Sequence, residues 1–325
     1  MRELTYAEAA VEAIQEEMEK DTTIFYMGED VGRFGGVYGT TKGLWERFGE
    51  DRVKDTPLSE AAIIGYALGA AITGMRPIAE MMFADLLCLA MDQIVNQVAK
   101  MRYMSGGKIK VPLLIRVPLG GLRRAAAQHS QHLESWFVHT PGLRIIAPSS
   151  PYDVKGLLKT AIKENNPVIS FEHIMLYQTK GEVPEESYVL PMGKAEVKRE
   201  GRDVTVITYS LMVHRCLSAA EKLSKEGIDV EVIDLRSLFP LDIETVVASV
   251  KKTNKVAIVH QASLTGGVGA EIGMRIMEAA FDYLDSSVKR IAAHDVPVPF
   301  SPPLEDFVVP TEEKIAAEIK KIVRR

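Results

Sequence analysis

Short runs of β-branched residues alternate with helix-length amphipathic stretches along almost the whole chain. That alternation restricts the fold to a mainly parallel sheet with helices on both faces. In the first series, candidate strands lie at residues 23–27, 77–82, 113–117, 144–147 and 168–171. Helical periods fall at about 6–19, from 60 onward, at 85–103 and at 153–163. From Gly181 to Asp203 the pattern lapses into Pro184, Glu185, Glu186, Pro191 and mixed charge. A second series follows, with strands at 204–209, 230–234, 255–259 and 288–292 and helices between them. The expectation is two α/β domains, 1–185 and a smaller 203–325, joined by a linker over 186–202, with right-handed crossovers.

Composition narrows the function classes. Hydrophobic residues make up 46% of the 325, enough for two cores, and the net charge of −5 draws the chain to neither nucleic acid nor an anionic membrane. Cys88 and Cys216 are far apart, which argues for a reducing compartment rather than a disulfide framework. The N-terminal stretch has no signal-peptide core and no Arg/Ser-rich transit character. The apolar run over 81–90 is interrupted by Asp85 and is too short to span a bilayer. A cytoplasmic protein is expected.

Three constellations can carry chemistry. The first is Asp55-Thr56-Pro57-Leu58-Ser59-Glu60 and the small-residue helix after it. Pro57 keeps Thr56 extended, Ser59 is a candidate N-cap, and Ala61, Gly65 and Gly69 leave one helix face nearly bare. Two glycines cost such a helix about 2 kcal/mol against alanine, so another backbone is expected to approach closely. On spacing alone Glu60 is a carboxylate favoured by the helix dipole. The second is Thr265-Gly266-Gly267-Val268-Gly269-Ala270-Glu271, with Asp295 at a later strand end as a candidate ribose acid. It lacks the third glycine and the tight turn of a dinucleotide fingerprint. The third is Gln128-His129-Ser130-Gln131-His132, with His139 further on. His-x-x-His could present two imidazoles to a metal on one helical face. Alternatively, His129 follows a parallel strand at the sheet's carboxyl end and suits proton transfer.

Longer motifs decide among these. Met27-Gly28-Glu29-Asp30-Val31-Gly32, the Asp55–Glu60 stretch, Asp92-Gln93-Ile94-Val95-Asn96 and Arg102-Tyr103-Met104-Ser105-Gly106-Gly107 come in a characteristic order. They are followed by Gln128-His129-Ser130-Gln131, Pro141-Gly142-Leu143, Asn166-Pro167-Val168 and Val232-Ile233-Asp234-Leu235-Arg236. Together they resemble the β subunit of the thiamine-diphosphate-dependent decarboxylase, the first component of 2-oxo acid dehydrogenase complexes. Pyruvate, branched-chain 2-oxo acid and acetoin dehydrogenases are its members. The resemblance implies a transketolase-like pyrimidine-binding domain followed by a smaller transketolase C-terminal domain.

The resemblance also assigns roles. It implies that Glu60 hydrogen-bonds N1′ of the cofactor's aminopyrimidine and promotes the imino tautomer that activates the thiazolium. His129 would serve the substrate carboxylate and the reductive acylation of lipoamide. Leu58, Met82, Leu86 and Leu89 fall where the family lines the pyrimidine and substrate, and Leu86 departs from the usual aromatic. A potassium ion would sit at Leu113, Ala161, Ile162, Glu164 and Asn166, largely on main-chain carbonyls. Magnesium and the diphosphate belong to a Gly-Asp-Gly motif that does not occur in these 325 residues. The family places it on an α subunit, in a heterotetramer of two α and two β chains. The second domain would help bind a lipoyl-bearing dihydrolipoyl acyltransferase core. The expected reaction is oxidative decarboxylation of a small 2-oxo acid, taken as pyruvate, with branched-chain or acetoin substrates as the alternatives. A nicotinamide-binding dehydrogenase and a non-catalytic β-like scaffold are the rivals from other classes.

Overall fold

The computed structural model describes residues 1–324 and divides into two units, Met1–Leu119 with Trp136–Met192, and Gly120–Ser135 with Gly193–Arg325. The first unit opens with β1 (Arg2–Thr5), α1 (Tyr6–Lys20), β2 (Ile24–Gly28), α2 (Leu44–Phe48), β3 (Val53–Asp55), α3 (Glu60–Ile72) and β4 (Arg76–Glu80). It continues through α4 (Met101–Met104) and β5 (Leu114–Leu119), then α5 (Glu134–Val138, which begins in the second unit's segment), β6 (Arg144–Ile146), α6 (Pro151–Lys163), β7 (Val168–His173) and β8 (Lys180–Val183). Its main strands run in the order β6-β7-β5-β4-β2-β3, all parallel, as alternating β-branched runs and helices require. β1 and β8 pair separately and antiparallel.

Helix starts follow the local chemistry. Thr5 and Glu8 form a reciprocal capping box on α1, and Ser150 caps α6 ahead of Pro151. α1 and α6 are tied by buried Lys155 and Lys159, whose ammonium groups pair with Glu12 and Glu16.

Three expectations change. The helix expected over 85–103 is a broken series: a 3-10 helix Ala84–Ala90, a π-helical Gln93–Val98 and then α4. The periodicity is helical throughout, but extra residues in the π turn rephase it, a device common beside functional sites. Ser59 occupies the N-cap of α3 but its hydroxyl makes no capping bond. Nor does another backbone among the described residues approach Gly65 or Gly69 on α3. A Cβ built at Gly69 meets nothing within 4 Å, and one at Gly65 meets only the Gln93 side chain at 3.5 Å.

The second unit carries β9 (Glu196–Arg199), β10 (Val204–Thr208), α7 (Leu211–Ser224), β11 (Val230–Asp234), the short β12 (Ser237–Phe239), α8 (Ile243–Thr253) and β13 (Val256–Ser263). α9 (Val268–Ala280), β14 (Lys289–Ala293), α10 (Pro302–Val308) and α11 (Glu312–Val323) complete it. Its sheet order is β14-β13-β10-β11-β9, parallel except for β9. The core is aliphatic, with Val206, Val232, Val259, Leu223, Ile315 and Ile319 meeting between sheet and helices. No helix among the described residues is long and apolar enough to cross a membrane.

Candidate active site

In the first unit the site grows from the carboxyl ends of β2 and β3. Gly28 ends β2 where no side chain fits, since a Cβ there would lie 2.8 Å from the Glu80 carbonyl and 2.9 Å from Val31. The following loop is pinned to β3: the Gly32 amide donates to the Asp55 carboxylate at 2.6 Å, and the Thr56 amide to the Gly28 carbonyl at 2.9 Å. Asp55 thereby positions the chain that runs through Pro57 into α3. Glu60 is the first residue of that helix and half-buried. A cavity of about 330 Å³ opens at the start of this helix, lined by Met27, Asp55, Thr56, Pro57, Ala62 and Tyr66 among others but not by Glu60 or Glu29.

Glu29, which lies within a quoted motif but draws no role from the sequence, is the second carboxyl of this site. Both its oxygens are buried and have no hydrogen-bond partner among the described residues. Burial pushes its pKa above the ordinary 4.5, and the nearby charges of Glu60 and Asp30 add to the shift. A buried carboxyl left without a partner beside a second carboxyl is satisfied by a donor brought from outside the chain. A ring nitrogen that exchanges a proton with a carboxyl meets that need, so these residues fit an aminopyrimidine. Neither the spacing nor the hydropathy of Gly-Glu-Asp signals this, because the pairing arises only when β2 and α3 come together.

The other expected lining residues sit on separate local structures. Leu58 is 80% and Leu89 62% exposed, while Met82 and Leu86 are half-buried at and within the 3-10 segment after β4. The residues expected to hold potassium lie around the α6–β7 turn. The Leu113 carbonyl accepts from the Val168 amide at 3.0 Å and the Ala161 carbonyl from the Glu164 amide at 3.2 Å. The carbonyls of Ile162 and Glu164 accept from the Arg76 guanidinium at 2.8 and 2.7 Å, and the Asn166 amide group donates to the Glu164 carboxylate at 2.8 Å. The cluster is rich in carbonyl oxygen, the donor type a hard cation uses, although Arg76 already engages two of these carbonyls.

Behind the strands lies a buried ionic network that the sequence does not reveal. Arg116 on β5 holds Glu172 on β7 in a fork, with bonds of 2.8 and 2.5 Å, and reaches the Tyr26 hydroxyl at 2.8 Å. Glu80 on β4 accepts a hydrogen bond from Tyr26 and lies 3.5 Å from Arg116. Burial raises the pKa of Glu80 against the opposing pull of Arg116.

In the second unit, His129 lies on an irregular segment rather than on a helix. Residues 120–133 contain no helical turn, so His129 and His132 do not share a helical face, and the spacing argument for a metal pair fails. The His129 side chain is exposed and its carbonyl accepts from Arg123 at 3.1 Å. His132 instead faces the buried carboxylate of Glu134, at 3.0 Å. Among the described residues no group of three histidines, cysteines or carboxylates is placed to hold a metal.

The glycine-rich turn before α9 also serves the chain itself. A Cβ at Gly267 would lie 2.5 Å, and one at Gly269 2.6 Å, from the ring of His260. The glycines therefore accommodate a buried imidazole, which desolvation pulls down to about 4 and keeps neutral. Asp295 accepts from both the amide and the hydroxyl of Thr265, at 2.9 and 2.7 Å. The glycines of this weak dinucleotide match are thus accounted for by packing on His260, and Asp295 by its exposed bonds to Thr265.

Known proteins resemble the chain over nearly its whole length. Residues 2–180 match the transketolase pyrimidine-binding domain and residues 193–315 the transketolase C-terminal domain. The chain is 47% identical to the 2-oxoisovalerate dehydrogenase subunit beta of Bacillus subtilis (strain 168), over 99% of each chain. It is 47% identical to the acetoin:2,6-dichlorophenolindophenol oxidoreductase subunit beta of Cupriavidus necator, over 99% of this chain and 98% of the other. It is 49% identical to the pyruvate dehydrogenase E1 component subunit beta of Porphyra purpurea, over 96% and 94%. Among solved structures, a split-gene transketolase described as an inactive β4 tetramer superposes with a TM-score of 0.80 at 22% identity, covering 99% and 98% of the two chains, which establishes the shared fold.

Proposed function

The chain belongs to the β-subunit family of the 2-oxo acid and acetoin dehydrogenases, and we propose that it is the β half of a thiamine-diphosphate-dependent decarboxylase acting on pyruvate. The observation that carries this reading is the Glu29–Glu60 pair, an unpartnered buried carboxyl beside a second one at a helix start. When bound, thiamine diphosphate supplies a nucleophilic carbon and an electron sink for decarboxylation. Glu60 holds and returns a proton at N1′ of the aminopyrimidine, a task for a carboxyl in a site closed to water. Leu58, Met82, Leu86 and Leu89 wall the pyrimidine and substrate. His129 orients the 2-oxo acid's carboxylate and assists acyl transfer to lipoamide.

The other half of the site is assigned to an α subunit in an α2β2 heterotetramer. That subunit carries magnesium and the diphosphate. The exposed Gly65–Gly69 face of α3 supports a close contact with a partner chain. Potassium at the carbonyl cluster around Glu164, a lipoyl-bearing acyltransferase core docking on the second domain, and a cytoplasmic location complete the reading. A branched-chain or acetoin substrate is the second reading, favoured by relatives of those activities at the same 47% identity and by Leu86 in place of an aromatic.

Glu60→Gln in the reconstituted heterotetramer tests the assignment. The amide keeps size and a hydrogen bond but cannot cycle a proton. Cofactor affinity should hold while turnover and C2-proton exchange fall by about two or more orders of magnitude. Wild-type exchange in this variant would return Glu60 to a helix-dipole role worth about 0.3–1 kcal/mol.

A further inference from the structure

We propose that Glu305, on α10, is the positioning residue of the loop that carries His129. This rests on the reading of His129 as an active-site residue. Glu305 is fully buried, and its carboxylate accepts three hydrogen bonds from a single turn of that loop. The Leu122 amide donates at 2.6 Å, the Arg124 amide at 3.3 Å and the Arg124 guanidinium at 2.8 Å.

The turn does not hold its shape on local preference. Leu122, Arg124 and Ala126 all lie in the left-handed region, with φ of 71°, 61° and 59°. Non-glycine residues persist there only when their surroundings enforce it. Glu305 supplies the enforcing contact, since a carboxylate facing two amides and a guanidinium fixes all three donors at once. Gly121 leaves it room: a Cβ there would lie 3.0 Å from the Glu305 oxygen and 3.5 Å from Ser130, the neighbour of His129. Leu122 packs on Ala293, Val308 and Val309, while Asp306 holds Arg124 from the outside at 3.0 and 3.1 Å. Arg123 then closes the loop by donating to the carbonyl of His129. The second unit thereby sets the place of a histidine that lies, in sequence, between two strands of the first.

Glu305→Gln turns an amide NH2 towards donors that need an acceptor, so the turn loosens without losing side-chain volume. The test uses the reconstituted α2β2 enzyme with Glu305→Gln, His129→Ala and the double variant. Acylation of a lipoyl domain by pyruvate and amide hydrogen exchange at Leu122 and Arg124 are the readouts. Glu305→Gln should lower kcat about 10- to 100-fold with KM within about twofold, the penalty of a misplaced catalytic group. It should speed exchange at both amides and add no further loss to His129→Ala. A wild-type kcat for Glu305→Gln beside an impaired His129→Ala overturns the clamp alone, as does a fully additive double variant. A wild-type His129→Ala overturns the active-site reading of His129 and the proposal with it. If Glu305→Gln does not assemble, Arg124→Met removes one donor of the clamp. A kcat-only loss of about 3- to 10-fold is then expected, and a wild-type kcat overturns the proposal.

Discussion

The buried network of Arg116, Glu172 and Glu80 makes a quantitative prediction, because its two carboxyls are not equivalent. One guanidinium faces two acids in a region closed to water, with relative exposures of 1% for Arg116, 0% for Glu172 and 6% for Glu80. Arg116 forks Glu172 with two hydrogen bonds, whereas burial raises the pKa of Glu80 above the ordinary 4.5. Glu172→Gln breaks a buried bidentate pair, a loss of about 3–5 kcal/mol. Part of this is offset by Glu80, 3.5 Å from Arg116, since an opposite charge at that distance is worth about 5 kcal/mol at an effective dielectric of about 20, less the desolvation cost of a buried charge. A net loss of about 2–4 kcal/mol remains, or about 4–16 °C in Tm for a unit of this size. Glu80→Gln instead keeps an acceptor for Tyr26 and leaves the Arg116–Glu172 fork in place, so it should cost less than about 1 kcal/mol.

The pH dependence follows from the same asymmetry. Stability from a carboxyl with a raised folded pKa is fully present below its unfolded value, near 4.5, and is lost as pH rises through the folded value. Glu80→Gln removes that loss, so its Tm relative to wild type should rise with pH from about 5 upward. Calorimetry of both variants between pH 5 and pH 9, each on the order of a unit apart, checks the claim. Equal losses for the two variants, or a Glu80→Gln curve parallel to wild type, would refute the asymmetry between the two carboxyls.

Three further outcomes are expected. The isolated chain should decarboxylate nothing until an α subunit is added; pyruvate turnover by the chain alone would sink the half-site reading. His129→Ala should leave assembly and cofactor binding intact while acyl transfer to lipoamide falls by about 10²–10⁴-fold, measured with a lipoyl domain as acceptor. Gly269→Ala should lower stability by about 1–3 kcal/mol, because its Cβ meets the buried His260 ring at 2.6 Å. Gly273→Ala on the same helix, with first contacts at 3.6 Å, should be neutral or stabilising by calorimetry.

The sequence by itself determined the layered parallel α/β architecture of both halves, since strand and helix periods are written locally in the chain. Its long motifs also carried the family and drew attention to Glu60 and His129. Where the outcome depended on which distant segments meet, sequence periodicity was silent or misleading. Residues 85–103 have a continuous helical period, yet the chain takes 3-10, π and α turns there. Glu29 is unremarkable in its motif and becomes a perturbed, unpartnered carboxyl only where β2 ends near Glu60. The glycines of the apparent dinucleotide loop are explained by His260 pressing against them from β13. The loop of His129 follows β5 in sequence but takes its shape from Glu305, more than 170 residues away. Burial and charge proximity are properties of tertiary neighbours, and desolvation and Coulomb forces act only once the fold has brought those neighbours together.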